Sequence, residues 1–311
     1  TSIFSKDISF EIQGNDFTDT NVIISLLKNI PDNFDNEYSN DIIKALYESN
    51  LFSNVSVKFE ENKYIIIVTE FPNINKIYFD NNERLDDDEL RIIASELKLK
   101  NYNDLSINNF INELKKVYQS FGYNNVTIEY SEKIFNDTNT VDLFFDIDEE
   151  KITKINKIII VGNDSIPSQD ILENIKSKTK SIRNIFANNN FKPITVDRDE
   201  ILIANIYKNN GYLDIDIKTK IEYLKSNKVN LYFNIIEGET YKLSSIKFKD
   251  EKNILNKDII DQINTKIKNS KYAQEIFSNN KIVQLKSDIS SVIINNNIEF
   301  FEINTYDKID N

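Results

Sequence analysis

The period of the hydrophobic pattern switches from helical to two at a recurring kind of joint. In residues 207–223, YKNNGYLDIDIKTKIEY, a helical stretch stops at Gly211 and alternation follows at once. Leu213, Ile215, Ile217, Thr219 and Ile221 lie on one face of the predicted strand, and Asp214, Asp216, Lys218 and Lys220 on the other. A glycine in that place suits the left-handed cap that ends many helices. The joint recurs as YQSFGYNNVTIEY over residues 118–130. It recurs as LYESNLFSNVSVKF over residues 46–59, with Asn50 in the glycine place, and in worn form as VIINNNIEFFEI over residues 292–303. Four copies of one helix-to-strand joint predict a repeat protein.

The first unit reads from Asp7 to Glu70. Ile8, Phe10 and Ile12 alternate up to Gly14; Ile23, Leu26, Leu27 and Ile30 share one helix face, ended by Pro31; Ser39 reads as the cap of a second helix. Val55, Val57 and Phe59 alternate, and a turn at Glu61-Asn62-Lys63 leads into the apolar run of residues 64–68. The second unit repeats the order: a strand with Ile74, Ile77 and Phe79, a helix with Leu90, Ile93, Ala94 and Leu97, and a long helix from Ile107 to Phe121 before Gly122. An alternating strand, Val126, Thr127, Ile128, Glu129, Tyr130, and an apolar strand over residues 141–147 complete it. The third unit has a strand over 155–161, Gly162-Asn163, Pro167 at a first helical position, and inward-facing Ile171, Leu172 and Ile175. An Asn-rich insertion (182–193), a helix over 197–209, the opening stretch, and a strand over 229–236 before Glu237-Gly238 follow. The fourth unit offers strands at Leu243, Ile246, Phe248 and at Ile298, Phe300, Ile303 around two helices, and the chain stops where a last strand is expected.

The fold class is therefore α+β, with repeats of strand, helix, helix, strand, strand. Two antiparallel helices cover one face of a three-stranded mixed sheet. The expected boundaries are 1–70, 71–150, 151–239 and 240–311, the last unit lacking its final strand, with flexible joints at 70–73, 149–154 and 238–243. The five glycines all fall at ends of elements, where a positive φ is useful, and Asn fills several equivalent places. A continuous apolar last strand belongs at the sheet centre, which leaves the alternating strand at an edge.

Composition narrows the chemistry. The 311 residues suit two to four domains, and a net charge of −12 speaks against nucleic acid and anionic lipid as partners. No Cys and no His are present, so thiol and Ser–His chemistry and the commonest metal ligands are excluded; the absence of Met points to a mature or excised fragment. No apolar run reaches membrane-spanning length. Asp86-Asp87-Asp88-Glu89 lacks Ca²⁺-loop spacing and reads as a charged helix N-terminus, as do Asp197, Asp199 and Glu200. Asp146, Asp148, Glu149 and Glu150 read as a solvated linker rather than paired catalytic carboxylates, and Tyr118 and Tyr207 as core anchors. No catalytic, metal or cofactor site is expected; a carboxylate-dependent hydrolase is the alternative from another class.

The repeat order, the joint YKNNGYLDIDI and the linkers VTEFPNINKIYFDNN (68–82) and FDIDEEKITKINKIIIVGND (145–164) resemble tandem POTRA domains of the BamA family of outer-membrane assembly factors. Val68, Glu70, Pro72, Ile74, Ile77 and Phe79 fit one form of that family's linker, and Glu237-Gly238 with Gly162-Asn163 the other. Glu149-Glu150 lacks the glycine, Asn81-Asn82 replaces Gly-Asn, and the fourth unit carries almost no signature. The resemblance implies a non-enzymatic scaffold on the periplasmic face of the outer membrane. It would receive unfolded outer-membrane proteins by strand addition and dock accessory lipoproteins, with periplasmic chaperones as further partners and a C-terminal β-barrel in the same protein. A TamA-like or two-partner-secretion transporter is the alternative within the family. The first candidate edge is residues 213–221, the longest of its kind in the sequence reading, and the second is residues 126–130.

Overall fold

The computed structural model describes residues 8–31, 35–60, 63–180 and 187–308. Asp7, the Glu61-Asn62 turn and part of the Asn-rich insertion lie outside the described residues. The chain divides into two compact units, Thr1–Lys151 and Ile152–Asn311.

The first unit holds two sheets. β1 (Ser9–Gln13), α1 (Thr20–Leu26), α2 (Asn36–Glu48), β2 (Phe52–Glu60) and β3 (Lys63–Glu70) form a sheet of order β1-β3-β2 with its two helices. β4 (Asn73–Asp80), α3 (Asp87–Glu96), α4 (Asp104–Phe121), β5 (Thr127–Phe135) and β6 (Thr140–Asp148) form the next, of order β4-β6-β5. In the second unit β7 (Lys154–Val161), α5 (Ser168–Asn174), α6 (Pro193–Asn209), β8 (Asp216–Leu224) and β9 (Lys228–Ile236) give the order β7-β9-β8, followed by α7 (Lys257–Ser270) and α8 (Asn279–Asn295).

In each sheet the last strand in the chain sits at the centre, parallel to the first and antiparallel to the middle one. The apolar runs explain this. Val141, Leu143, Phe145 and Ile147 of β6 are fully buried beneath Leu90, Phe110, Leu114 and Tyr118 of α3 and α4. Val229, Leu231, Phe233 and Ile235 of β9 play the same part beneath Ile171, Ile203 and Tyr207. Tyr64, Ile66 and Val68 of β3 do so beneath Ile23, Ile42 and Leu46.

Several local expectations are corrected. Ser39 lies inside α2, whose N-cap is Asp35, with its carboxylate accepting the Glu37 N–H. α6 begins at Pro193, four residues earlier than the pattern suggests, so Asp197, Asp199 and Glu200 do not open it. Asp199 is fully buried and caps a different segment, accepting the Lys176 and Ser177 N–H groups at 2.5 and 2.9 Å. In the last part of the chain Leu243, Ile246 and Phe248 form no strand, nor do Ile298, Phe300 and Ile303. Ile246, Phe248, Ile298 and Ile303 still pack on the α7–α8 core. Elsewhere an outer strand pairs only with a centre strand, and none forms here among residues 241–308.

Two devices recur that the hydrophobic pattern does not announce. An aromatic residue just before the N-cap of the second helix donates its N–H to a carbonyl upstream of the first helix: Tyr102 to Pro72 O and Phe191 to Thr153 O, each just before a first strand, and Phe277 to Tyr241 O, where no strand follows, at 2.8, 2.8 and 3.0 Å. The second device is a glutamate at or just after the end of the centre strand. Glu237 accepts from Tyr207 Oη and Ser165 N, each at 2.9 Å, and from Ser165 Oγ at 2.6 Å. Glu149, expected in a solvated linker, is buried and accepts the Arg84 N–H at 2.8 Å. The Tyr118 hydroxyl is buried beside it without a hydrogen bond of ordinary geometry. Glu70 accepts the Phe17 N–H at 3.0 Å. There Leu46 stands where the second and third repeats have tyrosine, and Glu70 Oε1 is buried without a partner.

The strand-end glycines have a steric reason. At Gly162, with φ +80°, a Cβ would lie 2.2 Å from Ile235 O, and Gly14 repeats this against Val68 O.

Asp199→Ala leaves two N–H groups without their acceptor and should cost roughly 2–4 kcal/mol in chemical denaturation. Glu237 provides an acid-sensitive term. Burial pushes its carboxyl up, but bonds from the Ser165 hydroxyl and N–H and from Tyr207 outweigh this and hold it below the usual range. With the folded-state value lowered, its stabilisation is full above the unfolded glutamate value and is lost as pH falls through the folded one. In melting curves from neutral pH downward, Glu237→Gln should start less stable, and its deficit should shrink below the usual glutamate range.

Candidate functional site

The exposed sheet edges are the candidate site. Each sheet has two: β2, β5 and β8 on one side, and β1, β4 and β7 on the other. β4 and β7 are interrupted by register shifts, between Ile74 and Lys76 and between Ile155 and Lys157. Their first residues are also occupied by the inter-helix loops, since Ile74 N donates to Lys100 O and Ile155 N to Asn189 O. Bulges of this kind twist an edge away from further pairing. β2 is shifted between Phe52 and Asn54. β5 and β8 each pair with the centre strand over nine residues without a break. Among the described residues no strand lies on their outer side.

The two predicted edges are relocated. Leu213, Asp214 and Ile215 precede β8, which starts at Asp216 and continues through Glu222 and Tyr223 to Leu224. A returning segment occupies that turn: Tyr212 pairs with Thr240, and Tyr241 Oη donates to Asp214 Oδ2 at 2.5 Å. That bond is also what raises the Tyr241 hydroxyl. Val126 is buried and precedes β5, which runs on past Tyr130 to Phe135. Residues 213–221 are not the longest edge, because β2, β5 and β8 are equal at nine residues.

On β8, Ile217 and Ile221 pack on the core while Asp216, Lys218 and Lys220 are exposed. Thr219 faces inward, and its Oγ1 is buried without a partner. Lys218 Nζ lies 3.6 Å from Asp216, an exposed pair of little consequence for stability. Glu222 accepts from Asn230 at 2.7 Å and from Tyr232 Oη at 2.9 Å, and these bonds hold its carboxyl below the usual range. On β5, Ile128 is buried and Tyr130 packs on Phe145 at 5.9 Å, while Thr127 and Glu129 face solvent. Burial first, and then Glu132, push the nearby Tyr102 hydroxyl up to about 12.

A groove beside β5 is lined by Asp80, Asn81, Glu129, Tyr130, Phe144 and Asp146. Among the described residues no three His, Cys, Asp or Glu side chains are arranged to hold a metal ion. Asp86 caps α3 reciprocally with Glu89, so that acidic run serves the helix. The bulges, the length of β5 and the returning segment over 238–241 escaped sequence reasoning. The one local signal for any of these was the alternation of Ser131, Lys133 and Phe135 with Glu132 and Ile134, too polar on both faces to read as a strand.

Comparison with known proteins places this architecture. The POTRA family model, described as surface antigen variable number repeat, matches residues 72–150 and 153–238. The outer membrane protein assembly factor BamA of Buchnera aphidicola is 26% identical over 229 residues, 70% of this chain and 37% of that protein. BamA of Neisseria meningitidis is 22% identical over 265 residues, 82% of this chain and 33% of that protein. The chain thus spans about a third of the length of these curated relatives. The crystal structure of Haemophilus influenzae BamA POTRA3-5 aligns with a TM-score of 0.38 and 12% identity, over 73% of this chain and 94% of that one. The two matched segments together take in more than half of the chain, and each contains one complete three-stranded sheet with its two helices: the chain belongs to the POTRA family.

Proposed function

We propose that this chain is the periplasmic scaffold of a BamA-like machine that assembles outer-membrane proteins, built from four POTRA repeats over 1–70, 71–150, 151–239 and 240–311. Unfolded outer-membrane proteins are received by strand addition along β5 and β8, and accessory lipoproteins dock on the same scaffold. The observation that carries this reading is the contrast between edges. β5 and β8 offer nine residues of regular pairing, whereas β4 and β7 are bulged and looped over. The curated relatives named above are assembly factors; a TamA-like or two-partner-secretion transporter is the alternative reading.

Strand addition suits clients of many sequences, because the main chain supplies the hydrogen bonds. Each bond contributes roughly 0.5–1.5 kcal/mol net, and ordering the client offsets much of that sum. One edge then binds weakly and releases readily, and two edges reached by the same client add avidity. No helix among the described residues is long and apolar enough to cross a membrane.

The chain has no cysteine, so Ser131→Cys and Asp216→Cys each give one position for a photo-crosslinker. Extended peptides N-methylated at every second residue test the reading. Methylation at one parity removes the bonds to the edge and should lower crosslinking by more than about tenfold, while the other parity should leave it unchanged. Equal crosslinking at both parities would overturn strand addition.

A further inference from the structure

Residues 241–308 repeat the placements that seat the two outer strands of a sheet. Leu243 N donates to Glu275 O at 2.9 Å, as Ile74 N does to Lys100 O and Ile155 N to Asn189 O. Lys242 pairs with Ile276 in the same isolated antiparallel bridge that joins Asn73 to Asn101 and Lys154 to Asn190. Counted from Leu243, Ile246 and Phe248 stand where Ile77 and Phe79 of β4, and Ile158 and Ile160 of β7, turn to their cores, and both pack on the α7–α8 core. The far side is set in the same way. Ile298 N donates to Ile293 O at 3.4 Å, as Tyr123 N does to Tyr118 O and Tyr212 N to Tyr207 O, and Asn297, at φ +62°, takes the place of Gly122 and Gly211. Beyond it, Phe301 and Ile303 pack on the α7–α8 core where Ile215 and Ile217 pack on theirs.

Both flanks of a sheet are thus laid on one helix pair, with no strand between them among the described residues. No main-chain hydrogen bond engages residues 245–249 or 299–307. In the three complete sheets the first and middle strands never pair with each other, and the centre strand takes both. That strand also fills the core: Val229, Leu231, Phe233 and Ile235 of β9 are all buried. Nothing in residues 241–308 supplies their counterpart beneath α7 and α8.

We propose that residues 243–249 and 301–308 are the walls of a slot that takes an extended segment of a partner polypeptide, apolar at every second position, as a centre strand. The guest runs parallel to the first wall and antiparallel to the second, as β9 runs to β7 and β8. Its apolar side chains lie beside Ile246, Phe248 and Ile303, in the places that Leu231, Phe233 and Ile235 hold in the third sheet. The three complete units specify this chemistry, because in each of them a strand of that pattern fills the same place. The site is separate from the open edges of β5 and β8 and does not rest on them. An edge bonds one side of a guest, whereas the slot bonds both sides and buries one face. It therefore reads apolar alternation, which an edge largely ignores.

The test uses the full chain and a peptide with the β9 sequence, residues 228–236, flanked by lysines for solubility. In hydrogen exchange the amides of 245–249 and 301–307 should exchange freely in the chain alone and slow by more than about tenfold with the peptide. A crosslinker at Lys247→Cys, an exposed position, should capture the peptide. Leu231→Asn with Phe233→Asn in the peptide should lower that capture by more than about tenfold. N-methylation at either parity should lower it as well, since a centre strand bonds on both sides, whereas an open edge responds to one parity alone. Joined after Asn311 through a short turn, the same sequence should fill the slot in cis and abolish capture of the free peptide; capture that persists would place the guest elsewhere and overturn the slot. No protection and no capture at Lys247→Cys, with capture at Ser131→Cys retained, would overturn the slot and leave strand addition at β5 standing. Capture at Lys247→Cys with none at Ser131→Cys would do the reverse. Sensitivity to one parity alone would reduce the slot to another open edge and overturn the proposal. Protection of 245–249 that rises with chain concentration in the absence of peptide would make a second copy the occupant and overturn it too.

Discussion

The centre strand is the constraint on which each sheet depends. β3, β6 and β9 pair on both sides, and each sends alternate apolar side chains under two helices. Burial of side chains such as Leu143 and Phe145, or Leu231 and Phe233, contributes roughly 1.5–3 kcal/mol apiece. β8 turns Ile217, Thr219 and Ile221 to the helix side, a smaller apolar face than the Val229, Leu231, Phe233 and Ile235 of β9. Residues 241–308 show the converse. Their helices close a small core around Ile259, Ile263, Leu285 and Ile289, but without a centre strand their extended segments form no sheet.

A centre strand that comes last in the chain has a consequence for the edges. The first strand must run parallel to it and so needs the helical crossover, while the middle strand joins it by a tight hairpin. The crossover's own inter-helix loop then lies over the start of the first strand, held by the bonds of Tyr102 and Phe191. The hairpin strand has no such cover. The asymmetry between a protected and an open edge therefore follows from chain order, and the proposed strand addition would use the edge that topology leaves uncovered.

The repeats keep this frame while varying what hangs from it. The glutamate at the end of the centre strand reaches back to a loop N–H in all three sheets, yet the tyrosine beside it in the second and third is a leucine in the first. The outer faces vary more widely: Asp80, Asp146 and Glu129 share a row across the second sheet, where the third holds Val161, Asn234 and Lys218. Core positions are constrained by packing density, so substitution there is costly. Positions on the far face meet water, and their charge can change without disturbing the sheet.

The amino-acid sequence by itself determined the order of elements, the α+β class, the helix-ending glycines and the placement of the apolar strand at the centre. These follow from period and from φ requirements, which are local. Residues 127–130 and 216–221 were legible as parts of edge strands for the same reason. Tertiary structure alone decided that Leu213, Asp214 and Ile215 are taken up by the returning segment around Thr240 and Tyr241, and that β5 extends to Phe135. It decided too that Asp199 caps a loop some twenty residues earlier rather than its own helix. Asp80, Glu129 and Asp146 meet only because the register brings three strands together. Register is a property of pairing between distant segments, and a single residue of slip would send each of these side chains to the opposite face.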